Sequence, residues 1–150
     1  MYSIETYGVE IDCEGLGLYL YGKTGSRKSS FAGAVVIDLI KNKKYSGVIW
    51  HPILSLVQMV KSAILPASRQ TPYEILKQSN NNRKILVLDD LGRERETDWD
   101  ADIINSFIWQ AYDNNQFVIV TSNLKPSELY PDPAVTRRLE ALKLIEMKGK

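Results

Sequence analysis

Apolar residues gather along this chain in five short runs, at 16–21, 48–51, 85–89, 117–121 and 142–147. Three of these are nearly unbroken apolar stretches, the pattern of strands buried on both faces of a parallel sheet. Between the runs the spacing changes to three and four. Over 29–41, Phe31, Val35 and Leu39 recur in steps of four. Over 52–64, Ile53, Leu56, Val57, Val60 and Ile64 form one stripe behind Pro52, a residue suited to a first helical turn. The segment 71–78 is a shorter helix candidate with Pro72 and Glu74 near its start. Over 102–113, Ile103, Ile104, Phe107, Ile108 and Ala111 share a face, and over 133–141 Val135 and Leu139 stand four apart. The polar stretch Gln78-Ser79-Asn80-Asn81-Asn82 reads as a turn. Strands alternating with helices predict an α/β fold, a five-stranded parallel sheet joined by right-handed crossovers with helices on both faces.

Composition narrows the picture. At 150 residues, 44% of them hydrophobic, the chain is expected to form one domain with a full core. The formal net charge of +1 gives no global pull toward nucleic acid, so such a surface would have to be a local patch. Cys13 is the single cysteine, which rules out an internal disulfide and fits a reducing compartment. No apolar run approaches the roughly 18–20 residues that span a bilayer. The N-terminus is acidic and lacks the basic-then-apolar order of a signal peptide. A cytoplasmic protein with no membrane partner is the expectation.

Candidate chemistry begins where the first strand ends. Residues 22–30 read Gly-Lys-Thr-Gly-Ser-Arg-Lys-Ser-Ser and lead into the first amphipathic helix. A loop in this position can wrap phosphates with backbone N–H groups at a helix N-terminus. Gly22, Lys23, Thr24, Gly25, Ser26, Arg27, Lys28, Ser29 and Ser30 are therefore the candidate nucleotide-binding residues, with ATP (or ADP) as ligand. Lys28 would reach the β- and γ-phosphates, and Ser29 would offer its hydroxyl to Mg²⁺. The usual spacing is Gly, four residues, Gly, Lys, then Ser or Thr, and Arg27 stands where the second glycine belongs. If positive φ is required there, arginine costs about 1 kcal/mol, although its charge could also meet phosphate.

A second element lies at 85–92, Ile-Leu-Val-Leu-Asp-Asp-Leu-Gly. A strand ending in two carboxylates suits Mg²⁺–ATP chemistry. Asp89 is the expected metal residue, and Asp90 the group that orients or deprotonates the attacking water. The next strand ends in Ser122-Asn123, where Asn123 would face the γ-phosphate and position that water. Near the C-terminus Thr136-Arg137-Arg138-Leu139 opens a short helix. Its arginines read either as a solvated face or as an arginine finger for a neighbouring subunit's ATP. His51, the sole histidine, offers no basis for a zinc site. Trp99 and Trp109 read as packing residues, and Asp98 and Asp100 as helix-starting ones.

Gly-Leu-Tyr-Leu-Tyr-Gly with its loop, Leu-Asp-Asp-Leu-Gly-Arg-Glu-Arg-Glu-Thr-Asp-Trp over 88–99, and Val-Thr-Ser-Asn-Leu over 120–124 resemble the AAA+ domain of DnaC/DnaI-type helicase loaders and the related IstB transposition helpers. The resemblance runs over about residues 15–148. It implies a P-loop NTPase fold of AAA+ type, with sheet order 5-1-4-3-2 counting the five strands along the chain. It implies Walker A roles for Lys28 and Ser29, Walker B roles for Asp89 and Asp90, and a sensor role for Asn123. Arg138 is the better match to the arginine finger, with Arg137 next. Members of that family bind ATP, assemble side by side on single-stranded DNA in an open ring or filament, and help place a DnaB-type replicative helicase. The family's loaders carry an extra N-terminal domain. Some fifteen residues precede the first strand here and nothing follows the fifth, so a single domain without that extension or a lid is the expectation. The matching DNA-contact region holds Lys61, Arg69 and Lys77, which read equally well as solvated helix residues. Arg27 keeps open a nucleotide-binding interaction protein with little turnover, and the shared ATP motifs keep open a transposition helper.

Overall fold

The computed structural model describes residues 3–6, 9–12, 16–65, 71–92 and 98–148, the first two segments through their backbone only. Its strands are β1 (Ser3–Thr6), β2 (Val9–Asp12), β3 (Gly17–Tyr21), β4 (Gly47–Pro52), β5 (Lys84–Leu91), β6 (Val118–Ser122) and β7 (Lys143–Glu146). The helices are α1 (Lys28–Lys41), α2 (Ile53–Ala63), α3 (Pro72–Gln78), α4 (Asp98–Asp113), α5 (Pro126–Leu129) and α6 (Pro133–Glu140). The last five strands form one parallel sheet in the order β4-β5-β6-β3-β7. Read from the other edge, this is the expected order 5-1-4-3-2.

Strand alternation sorts the core into two layers. Leu18, Leu20, Ile85, Val87, Phe117 and Ile119 turn to one face, where α1 covers them with Phe31, Ala32, Val35, Val36 and Leu39. Tyr19, Leu86, Leu88, Val118 and Val120 turn to the other, beneath α2, α3, α4 and α6. Both faces of the central strands are dry, which is why their sequences read as continuous apolar runs.

Three features differ from the sequence expectation. An antiparallel hairpin, β1 with β2 in the register Ser3↔Asp12, precedes the sheet. Its alternation of polar with β-branched residues (Ser-Ile-Glu-Thr, then Val-Glu-Ile-Asp) is a period-two signal, easily overlooked in two four-residue strands. Helix α4 begins four residues earlier than its apolar stripe, because Asp98 and Asp100 occupy its first turn and favour its dipole. Helix α5 is a single turn started by Pro126, too short to show periodicity. Cys13, Arg69 and the segment 93–97 lie outside the described residues.

Candidate functional site

Parallel strands send their C-terminal ends to one edge of the sheet, and there the β3–α1 loop, the end of β5 and the end of β6 converge. Helices α1 and α2 both start without a side-chain cap, and α1 is the one that starts from the β3–α1 loop. Helix α3 closes its N-terminus with a capping box, Thr71 Oγ1 accepting from Glu74 N and Glu74 Oε2 from Thr71 N. Asp132 Oδ1 accepts from Ala134 N at the start of α6. At α1 the N-cap is Arg27, no side chain caps the helix, and its first turn holds no acid. The N–H groups and positive dipole end of a 14-residue helix are thus left facing the loop, the arrangement that receives an anion.

The loop is shaped for the same task. Arg27 adopts φ 62° and ψ 33°, so the position where a second glycine is usual does require the left-handed region, and arginine takes it. Its side chain is exposed. Gly25, at φ 85°, has open space where a side chain would stand. Gly22 approaches β7 so closely that a Cβ would collide with the Met147 carbonyl oxygen. Lys28, only 7% exposed, folds its ammonium back into the loop. It donates to the carbonyl oxygens of Gly22 and Lys23, both at 2.9 Å, and to Ser26 Oγ at 3.1 Å. Burial lowers its pKa, while Asp90 and then Asp89 oppose that shift by favouring the charged form. A buried ammonium held by neutral carbonyls and drawn by two carboxylates is well matched to a polyanion.

Opposite the loop, Asp89 Oδ1 accepts from Ser29 Oγ (2.8 Å) and from Thr121 Oγ1 (2.6 Å). The Asp90 N–H donates to Thr121 Oγ1 (2.9 Å). Asp90 sits at φ 66°, and pairing of β5 with β6 shifts register between Leu88 and Leu91. This bulge matters because consecutive strand residues normally point to opposite faces; the local twist brings two successive carboxylates to one site. Asn123 Nδ2 donates to Thr24 Oγ1 at 3.3 Å, tying the end of β6 to the loop. Thr24, Gly25, Arg27, Lys28, Ser29, Ser30, Asp90 and Asn123 line one depression. Lys23 borders the adjoining one with Asn123.

Thr121 was not singled out from the sequence, yet it clamps both aspartates. The signal was there: a buried strand whose last residues turn from Val-Ile-Val to Thr-Ser. Ser122 belongs to the same support, donating to Leu91 O at 2.7 Å and accepting from Leu124 N at 3.1 Å.

Of the two arginines on α6, Arg138 is occupied within the chain. Its Cζ lies 3.1 Å from the Trp109 ring centroid and 6.0 Å from that of Tyr112, and Nη1 donates to Ala134 O at 2.9 Å. Arg137 is exposed. Among the DNA-contact candidates, Lys61 is ion-paired with buried Asp100 and lies 5.2 Å from the Trp99 ring centroid, while Lys77 is exposed in the last turn of α3. His51 Nε2 shares a 2.9 Å hydrogen bond with Ser79 Oγ, and burial lowers its pKa. No group of three or more His, Cys, Asp or Glu among the described residues could hold a metal unaided. Nor is any helix there long and apolar enough to cross a membrane.

No family model matches the chain. A curated relative, the replicative helicase loader DnaI of Bacillus subtilis (strain 168), is 27% identical over 139 residues, covering 89% of this chain and 43% of its own length. The solved DnaC helicase loader superposes with TM-score 0.69 at 24% identity, over 92% of this chain and 82% of that one. The chain is thus similar to the DnaI loader in sequence and shares its fold with the solved DnaC loader. A replication initiator DnaA bound to AMPPCP and single-stranded DNA shares the fold at TM-score 0.74 and 17% identity, over 91% of this chain and 42% of its own. The chain spans less than half the length of the DnaI relative it matches.

Proposed function

We propose that this domain binds and hydrolyses Mg²⁺–ATP as the motor part of a DNA-replication helicase loader, assembling on single-stranded DNA to help load a DnaB-type helicase. The observation that carries the reading is the uncapped start of α1, facing a loop whose carbonyls hold the Lys28 ammonium in place, with Ser29 and Asp89 already paired across from it.

In this reading the N–H groups of Gly25 to Ser30 and the Lys28 ammonium hold the β- and γ-phosphates. Lys28 exchanges its loop carbonyls for phosphate oxygens. The Ser29 hydroxyl and Asp89 hold Mg²⁺, which neutralises developing phosphate charge when bound. Their existing hydrogen bond keeps the two oxygens together for that purpose. Asp90 takes the proton of the attacking water, and Asn123, anchored to Thr24, orients that water. Thr121 fixes Asp89 from behind. The finger acting on a neighbour's ATP is Arg137, because Arg138 is spent on Trp109 within its own chain. The chain's similarity to DnaI and DnaC supports the loader role, and DnaA captured with AMPPCP and single-stranded DNA supports the ligand pair.

Arg27 favours a second reading, a nucleotide-binding partner with little turnover. Its left-handed backbone preserves the loop, so the substitution does not argue against binding. ATP hydrolysis measured with and without single-stranded DNA separates the two. DNA-stimulated turnover is expected; bound ATP with no turnover in either condition would give the role to the second reading. Pull-down of a DnaB-type helicase rather than a transposase distinguishes a loader from a transposition helper.

A further inference from the structure

The two ends of the sheet are chemically unlike. At the N-terminal ends of β4 and β5, opposite the phosphate loop, two connections bring basic side chains together. Lys41 closes α1, Lys43 and Lys44 follow it, and Arg83 and Lys84 lead into β5. Lys41, Lys43, Lys44 and Arg83 are exposed. Lys43, Lys44 and Arg83 line one open groove of about 550 Å³, with Ile40 and Tyr45 as its apolar members and Ser46 and Asn82 as neutral polar ones. Asp38, one turn back on α1, Asp113, at the end of α4, and Glu140, at the end of α6, are acids of that end among the described residues.

We propose that this groove binds the phosphate backbone of single-stranded DNA. The inference rests on the reading above, that the domain acts on such DNA, and supplies the surface for it. Helix α1 alone explains part of the cluster, since cations are favoured at a helix C-terminus. It does not explain Arg83, which arrives from another connection. Arg83 is held there by Ser46 N donating to Arg83 O (2.8 Å) and by Asn81 Oδ1 accepting from Arg83 N (2.9 Å). Nor does it explain Lys43, which adopts φ 58° at the helix end where glycine or asparagine is usual. Lys84 lays its alkyl chain against Gly47, with carbons 3.8–4.0 Å from where a Cβ would be, which pins it beside the groove.

The opposite candidate is poorer. The face around α2, α3 and the start of α4 carries Glu74, Asp98, Asp100 and Asp102 against Lys61 and Lys77, and Lys61 is already neutralised by Asp100. In a chain of net charge +1 the positive potential is therefore local, and the β4–β5 end holds a cluster, apart from the nucleotide loop, that could neutralise several phosphates. A single strand suits it better than a duplex, because the cations converge on a concavity between two connections, whose floor a rigid duplex would bridge without touching.

The test uses a fluorescein-labelled oligothymidylate and anisotropy titrations at several salt concentrations, with and without ATP. Wild type should bind in a salt-dependent way. Lys41→Glu/Lys43→Glu/Arg83→Glu should weaken binding at least about tenfold and flatten the log–log salt slope by about 2, at ~0.7 per lost phosphate contact. Lys43→Gly, which relieves its backbone and leaves folding intact by thermal melt, should weaken binding about two- to threefold. Lys125→Glu, at the other end of the sheet, should not change it. If wild type binds and the triple variant binds equally, the groove is rejected while the DNA role stands. If wild type binds no oligonucleotide with or without ATP, the DNA reading itself falls and the groove with it. Equal or tighter binding of a duplex, or of anionic phospholipid vesicles, overturns the assignment to single strands.

Discussion

Lys43 and Asn115 adopt φ 58° and 54° just beyond the ends of α1 and α4; Arg27 and Asp90 adopt φ 62° and 66° at the phosphate end of the sheet. The first pair terminates helices. Lys44 N reaches Leu39 O, and Gln116 N reaches Ala111 O, closing the last turns in the way a glycine would. The second pair terminates nothing by itself. Arg27 swings the chain so that α1 starts uncapped toward the loop, and Asp90 breaks strand alternation so that two carboxylates reach one site. Left-handed backbone at one end serves chain reversal. At the other it serves the placement of charge, the kind of strain that clusters at functional sites.

The largest expected effect breaks the chemical half of the comparison. Asp90→Asn retains the side-chain shape and removes the base. Hydrolysis should fall by about 10²–10⁴-fold while ATP affinity changes little. Hydrolysis at the wild-type rate would remove Asp90 from the mechanism.

The neighbouring arginines of α6 separate function from packing in the same way. Arg138→Ala should lose about 1–2 kcal/mol of stability, from its stack on Trp109 and the packing of its alkyl stem, seen as a lower melting temperature. Arg137→Ala should leave the melt unchanged and lower hydrolysis only under conditions where subunits assemble. The reverse pattern would return the finger role to Arg138.

These pairs also show what the sequence could carry. The five parallel strands were legible because dry strands leave unbroken apolar runs, whereas their order came from the family resemblance. The convergence of Lys28, Ser29, Asp89, Asp90 and Asn123 on one edge of the sheet was legible because each sits at a strand or helix end. The bulge at Asp90 and the clamp by Thr121 were not, since both arise from the pairing of β5 with β6. The stacking of Arg138 on Trp109 was not legible either, because the two are distant in sequence and adjacent only in the fold. The β1–β2 hairpin was too short to stand out, and the basic groove is spread over two connections.

Smaller effects sharpen the strain argument. Arg27→Gly and Lys43→Gly should each stabilise the fold by up to about 1 kcal/mol, because glycine adopts these angles without a Cβ clash. Only Arg27→Gly should alter ATP affinity. An effect of Lys43→Gly on ATP affinity would join the two ends in a way the geometry does not.

The smallest effect concerns His51. Its folded pKa lies below the ordinary 6.5, so between that lowered value and 6.5 the unfolded chain binds more protons than the folded one. Stability should therefore fall as pH drops through that window, level off below it, and lose this step in His51→Gln. A melting temperature rising on acidification through the window would contradict the burial of a neutral imidazole against Ser79.

The central claim is that the loop from Gly22 to Ser29 holds the phosphates of Mg²⁺–ATP, and calorimetric titration of ATP into wild type and Lys28→Ala tests it most directly. Wild type should show one saturable site per chain. The variant should bind about 100-fold more weakly or not measurably, given the roughly 1.5–3 kcal/mol of each hydrogen bond to a charged group. Equal affinities, with both proteins folded, would contradict the assignment of the site.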